Sequence, residues 1–265
     1  MTGDAPNTEY GDRDAVLPNE VLRTVVGSGV HGLAVEGTDD HDEMGVYVEP
    51  AATVLGLGRR QDTYTWRTRP EGHRSGPGDT DLVVYSLRHF LRLAVQGNPS
   101  LLVPLYAPAD AVLIEQPLGA ELRGLADRIV SAESGQRYLG YLRGQRERML
   151  GGGKQGRVPN RPELVERYGF DTKYAGHAVR LGLQGVELLE RGGLTLPMRP
   201  ADRDLVLGVR TGRYTLPEVD AMVEALDAQL VRLLARPHGL AVRPEPDREA
   251  LTRWSVEAHQ RHWSA

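Results

Sequence analysis

Short apolar runs with a two-residue period dominate the first half of this chain, and helical stripes dominate the second. Residues 21–26, VLRTVV, form a short apolar element that enters a Gly-Ser turn. Residues 40–48 alternate toward Val46-Tyr47-Val48 and stop at Glu49-Pro50, which predicts a strand ended by proline. The Gly-, Arg-, Pro- and Thr-rich stretch 56–78 predicts a loop or hairpin around residues 62–67, and DLVVY (81–85) a buried strand. Ser86 is a suitable N-cap for a helix whose Leu87, Phe90, Leu91 and Ala94 fall at i, i+3, i+4 and i+7. Gly97-Asn98-Pro99 ends that helix, residues 101–106 form another buried segment, and 118–133 reads as one amphipathic helix with Leu118, Leu122, Leu125 and Ile129 in line.

From about Gln136 the pattern is helical almost throughout. The expected class is therefore α+β: a mixed β-sheet with flanking helices, followed by a mostly helical C-terminal domain. The expected divisions are a flexible N-terminal arm (1–18), interrupted by Pro6, Gly11 and Pro18, a catalytic domain (19–130), and a helical domain (131–265) that completes a cleft. GGGKQG (151–156) lacks both the GK[ST] ending and a preceding strand of a phosphate loop, and reads as a mobile loop. In the helix predicted over 171–191, Tyr174, Ala178, Leu181, Gly185 and Leu188 form an apolar stripe. One residue earlier, Lys173, His177, Arg180, Gln184 and Glu187 repeat that spacing, so a polar row lies about 100° around the helix, facing a cleft edge. Residues 216–234 form an ordinary amphipathic helix, 243–248 a Pro-broken linker, and Trp254 and Trp263 of the final helix serve packing.

The chemistry gathers in residues 27–48, GSGVHGLAVEGTDDHDEMGVYV. A strand sends i and i+2 to one face, so Asp40 and Asp42 project side by side, a pair of hard oxygen ligands suited to Mg²⁺ or Mn²⁺. Gly27-Ser28 lets backbone N–H groups and a hydroxyl approach phosphate oxygens. His31, between glycines, either reaches phosphate or fills a turn. A third carboxylate is expected at the entrance of the next strand, where Asp79 and Asp81 compete and only register decides between them. Lys173, His177 and Arg180, three groups able to be cationic at i, i+4 and i+7, are placed to grip a triphosphate, unless the row is a plain solvated surface.

Composition narrows the class. The chain has 265 residues, 40% hydrophobic and 26% charged, with a net charge of −4, which argues against a protein that coats nucleic acid nonspecifically. It has no cysteine, so disulfides and thiolate metal sites are excluded. The opening MTGDAPNTEYGDRD is not a secretory leader, no apolar run approaches a membrane span, and a cytoplasmic enzyme is expected. Between Arg137 and Arg167, eight Lys or Arg face three Glu and no Asp, an excess of five that marks either an RNA-binding surface or a solvated helix and loop.

GSGVHG, DHDEMGV, YSLRHFLRLAVQGNPS and RPELVERYGFDTKYAGHAVRL, spread over roughly residues 20–215, resemble the DNA polymerase β superfamily of nucleotidyltransferases, in the branch associated with RNA repair. The resemblance places the third carboxylate before the YSLR run, at Asp81. It also implies transfer of a nucleoside monophosphate from an NTP, ATP among them, to an acceptor hydroxyl with release of pyrophosphate. Asp40, Asp42 and Asp81 would hold two metal ions, Gly27 and Ser28 would meet phosphates from one side, and Lys173, His177 and Arg180 from the other. The implied acceptor is an RNA or tRNA end. A small molecule or protein side chain is the alternative, and an inactive nucleotide-binding regulatory module a third. Nothing in the sequence sets the oligomeric state.

Overall fold

The computed structural model describes residues 7–35, 40–70, 72–73, 75–152 and 161–264. In chain order the elements are β1 (Thr8–Tyr10), α1 (Arg13–Val16), β2 (Glu20–Val25), α2 (Gly27–His31), β3 (His41–Tyr47), α3 (Ala51–Leu55), β4 (Thr63–Arg67), β5 (Thr80–Ser86), α4 (Leu87–Ala94), α5 (Pro99–Tyr106), β6 (Val112–Glu115), α6 (Pro117–Gly124) and α7 (Ala126–Ile129). Then follow α8 (Ala132–Met149), α9 (Pro162–Tyr168), α10 (Thr172–Arg191), α11 (Pro200–Arg210), α12 (Leu216–Leu234) and α13 (Arg248–Trp263). The expected α+β class, a mixed sheet with flanking helices and a helical region after it, is the one observed. Among the described residues no helix is long and apolar enough to cross a membrane.

The chain forms two compact units. The first takes the described residues up to Val95, then Ser100–Ile129 and the stretch from Asp247; the second takes Gln96–Pro99 and Val130–Pro246. The sheet of the first unit runs β1-β4-β5-β3-β2-β6, with β3 and β5 parallel and the other pairs antiparallel. One of its faces is core: Tyr47, Tyr64, Leu82 and Val84 pack with Val16, and Leu17 and Trp66 close the edge. Burying each aliphatic side chain there contributes roughly 1.5–3 kcal/mol.

Three expectations change. The arm expected to be flexible is ordered from Thr8: β1 pairs with β4, Asp12 accepts from Ala15 N to cap α1, and Val16 is wholly buried. Residues 1–6 lie outside those described, as do 153–160, which hold most of the glycine-rich loop. The single helix read over 118–133 breaks at Leu125, where α6 ends, and at Val130–Ser131, where Ser131 bridges to Arg243; Leu122 and Ile129 of the stripe are buried nonetheless. And α13, assigned from the sequence to the helical domain, belongs to the first unit.

What ties α13 down is a buried ion pair. His259 donates from Nε2 to Glu49 Oε2 at 3.0 Å and from Nδ1 to the Ser255 carbonyl at 2.7 Å, so both ring nitrogens face acceptors and the ring is held as imidazolium. Burial alone would lower its pKa, but the bond to Glu49, the Ser255 carbonyl and the Glu49 charge outweigh burial and raise it. For Glu49, burial pulls upward, and the bonds from His259 and Ser86 win and lower the pKa. Trp263 donates to the Glu49 carbonyl at 2.7 Å, while Trp254 and Arg261 reach Glu121. The stabilisation from His259 is complete below its ordinary value of 6.5 and is lost as pH rises through the raised folded value. That from Glu49 is complete above 4.5 and is lost as pH falls through the lowered one. Urea unfolding is therefore expected to show a plateau between those values and a decline above it. His259→Ala, which leaves Glu49 buried without its partner, should cost about 3 kcal/mol and remove the alkaline decline.

In the second unit α10 is packed by α8, α11 and α12. Small residues let these helices close in: a Cβ at Gly182 would come within 2.8 Å of Leu226, and one at Gly185 within 2.9 Å of Tyr138. Asp171 caps α10, accepting from Lys173 N and Tyr174 N, and also takes a guanidinium hydrogen bond from Arg161 at 3.1 Å.

Candidate active site

The parallel register of β3 and β5 sets Asp81 beside Asp42. His41 stands opposite Thr80 and Asp42 opposite Asp81, so both aspartates lie on one sheet face, the face away from Tyr47, Leu82 and Val84. One ligand oxygen from each of Asp40, Asp42 and Asp81 lies within 4.8 Å of the others, and all three residues are half-buried. Asp79 is occupied elsewhere. Its carboxylate accepts from Arg69 Nε at 2.7 Å, Gly76 N at 2.9 Å and Thr68 Oγ1 at 3.0 Å, and these bonds, Arg69 first, lower its pKa. It is a structural anchor for the turn into β5.

Around Asp81, Ser75 Oγ lies 3.0 Å from both carboxylate oxygens and Arg67 Nε lies 3.7 Å from Oδ2. Beside Asp42, Val26 N donates to the Asp42 carbonyl at 2.9 Å, which draws the start of α2 against β3. Gly27 follows with φ +66°, and a Cβ there would overlap the Asp42 carboxylate. Both the backbone conformation and the space demand glycine. Ser28, half-buried, is the next residue of α2. His31 ends that helix with 3% exposure, so the space-filling alternative is the one its position favours.

Three half-buried carboxylates with ligand oxygens within 4.8 Å of one another form a donor set that could hold a hard divalent cation. With that geometry in place, the comparison with known families is decisive: residues 16–256 match the family described as the RNA repair pathway DNA polymerase beta family. The chain belongs to that family. Its members are nucleotidyltransferases of the polymerase β superfamily, and so is this chain. No curated relative matches it. One solved structure, a nucleotidyltransferase-like protein from Exiguobacterium sibiricum 255-15, is 11% identical over 93% of this chain and 73% of its own, with a TM-score of 0.29, a likeness too slight to support inference.

The row expected to grip phosphate lies in the second unit of this polymerase β family member, and only its upper part is open. Lys173, His177 and Arg180 are half-buried, but Gln184 and Glu187 are buried and satisfied within the unit. Gln184 accepts from Arg180 at 3.1 Å, and Glu187 accepts from Thr195 Oγ1 at 2.6 Å. His177 does not supply a third cation. Its pKa is pushed down to about 3, by burial first and then by Arg180, Lys173, Arg210 and Arg161. Burial, then Arg210, also lowers the Arg180 pKa, from a value high enough that the guanidinium keeps its charge. Tyr174, read from the sequence as apolar core, instead lies under two guanidinium groups, Arg161 at 5.1 Å and Arg148 at 5.9 Å.

Among the described residues, most of the basic side chains over 137–167 have partners. Arg143 makes a two-pronged ion pair with Asp227, and Arg146 pairs with Asp220 and Glu224, all three acids on α12. Arg137 bonds Gln96 and Arg161 bonds Asp171. Arg157 lies outside the described residues.

Proposed function

We propose that this chain transfers a nucleoside monophosphate from an NTP to a hydroxyl at an RNA end. The convergence of Asp40, Asp42 and Asp81 supports the reading most. In such a step the acceptor oxygen bonds to the α-phosphorus, the bond from that phosphorus to the bridging oxygen breaks, pyrophosphate leaves, and the hydroxyl proton passes to solvent. Asp40, Asp42 and Asp81 would hold Mg²⁺ or Mn²⁺, which supplies charge neutralisation and activation of an oxygen nucleophile. Ser75, fixed on both oxygens of Asp81, keeps that carboxylate oriented toward its neighbours. Gly27 keeps the Asp42 carboxylate clear of any side chain at the start of α2. In the second unit, Lys173 and Arg180 are the groups assigned to triphosphate charge, with neutral His177 a hydrogen-bonding partner.

The RNA acceptor rests on the family's RNA repair description, because two of the four arginines of α8, Arg143 and Arg146, are engaged with α12. Incubation with each labelled NTP, Mg²⁺ or Mn²⁺, and total RNA should label RNA; label appearing only on protein or on small molecules would overturn the RNA reading. Lys173→Ala should weaken NTP binding about 10-fold with little change in stability, since a half-exposed lysine contributes little to folding while a charge-assisted phosphate contact contributes more. Arg180→Ala should weaken binding and also destabilise, because it removes a hydrogen bond to the buried Gln184 side chain. Titration calorimetry alongside thermal unfolding separates the two effects, and unchanged NTP affinity in Lys173→Ala would return the row to a structural role.

A further inference from the structure

The two faces of β4 and β5 are unequal. Tyr64, Leu82 and Val84 are buried on one face, whereas Thr63, Thr65, Val83 and Tyr85 on the other are half-buried or exposed. The pairings Thr63 with Tyr85, Thr65 with Val83 and Arg67 with Asp81 put that open face in line with the third carboxylate. Tyr85 follows Asp81 by four residues on the same face, roughly 13 Å along the strand. Its ring stacks on His89 of α4, with centroids 5.9 Å apart and planes 15° from parallel. His89 Nδ1 accepts from Arg92 at 2.7 Å, which fixes the ring as a neutral, flat surface. Arg60, Arg67 and Arg92, each more than 40% exposed, rim this shelf, with Asp62 set among them.

Flat rings that accept a base, edged by cations that accept phosphates, make up a single-stranded nucleic acid site. Neither the carboxylate cluster nor the triphosphate contacts use Tyr85, His89 or Arg92. We propose that the Tyr85–His89 stack is the platform for a base near the reacting end of the RNA acceptor, with Arg60 and Arg92 facing its phosphates and the strand end leading toward Asp81. This rests on the RNA-acceptor reading above and assigns that acceptor its place in the first unit.

The test uses the full chain, a saturating NTP, and a short single-stranded RNA carrying 2-aminopurine near its reacting end. Tyr85→Ala should raise the KM for RNA about 10-fold, the scale of one lost base stack, with the KM for NTP and the melting temperature unchanged. It should also abolish the quenching of 2-aminopurine seen with the wild type, and Tyr85→Phe should restore both. His89→Gln, which removes the lower ring of the stack at a half-buried helix position, should give a smaller shift in the same direction and provides the measurement if Tyr85→Ala does not fold. Wild-type KM for RNA and full quenching in either folded variant overturn the platform while leaving the RNA acceptor standing. Transfer by the wild type to non-nucleic acceptors only overturns the RNA reading itself.

Discussion

Asp42→Asn is expected to abolish nucleotidyl transfer, by at least about 10³-fold in kcat, while the protein melts at the wild-type temperature or above it. The two halves of this result have one cause. Asp42 shares a space of under 5 Å with Asp40 and Asp81, so replacing it by a neutral isostere removes one of three mutually repelling charges from the fold. The same replacement removes a charged oxygen from the donor set that a divalent ion would require. Activity measured with saturating NTP and Mg²⁺, together with a thermal melt in metal-free buffer, reads both. Wild-type turnover by a folded Asp42→Asn protein would refute the metal-site reading.

Gly27→Ala is expected to be nearly as damaging to turnover and, unlike Asp42→Asn, to cost stability. An alanine at φ +66° carries about 1–2 kcal/mol of backbone strain, and its Cβ overlaps the Asp42 carboxylate, so either α2 shifts or the aspartate rotates away from its partners. The expected loss is roughly 1–3 kcal/mol in unfolding free energy, with kcat down at least 10²-fold by about the same reckoning as a misplaced catalytic group. Gly140→Ala is the matched control: it lies in α8 with open space where the Cβ would go, and should stabilise by up to about 1 kcal/mol through helix propensity. If Gly27→Ala behaves like the control, the close approach at Gly27 has no functional weight.

Legibility in the sequence followed the range of the interaction. The Ser86 cap, the stripe of α4 and the strand before it were readable because each is set by residues within one or two turns. The same holds for the Asp171 cap of α10. The third carboxylate was not readable from the residues alone, because Asp79 and Asp81 both sit at a strand entrance and only the pairing of β3 with β5 separates them. The charge row on α10 was legible as a spacing but not as a protonation state, since what lowers the His177 pKa is burial first, then its own row partners Arg180 and Lys173, and then Arg210 and Arg161 from other elements. Counting charges over 137–167 could not include the partners of Arg143 and Arg146 for the same reason. The acids that answer Arg143 and Arg146 lie 74 to 84 residues further on, in α12. The assignment of α13 was hidden by a still greater distance, the 210 residues between Glu49 and His259.

That last distance imposes an order on biosynthesis. The ribosome releases Glu49 early and His259 near the end of the described chain, so the sheet with its aspartates waits, one helix short, while the entire second unit is made and can fold. During that interval Glu49 has no imidazolium beside it and the surface that α13 will cover stays wet. A chain truncated after Pro246 and released from the ribosome should therefore hold a protease-resistant second unit and a protease-sensitive first one.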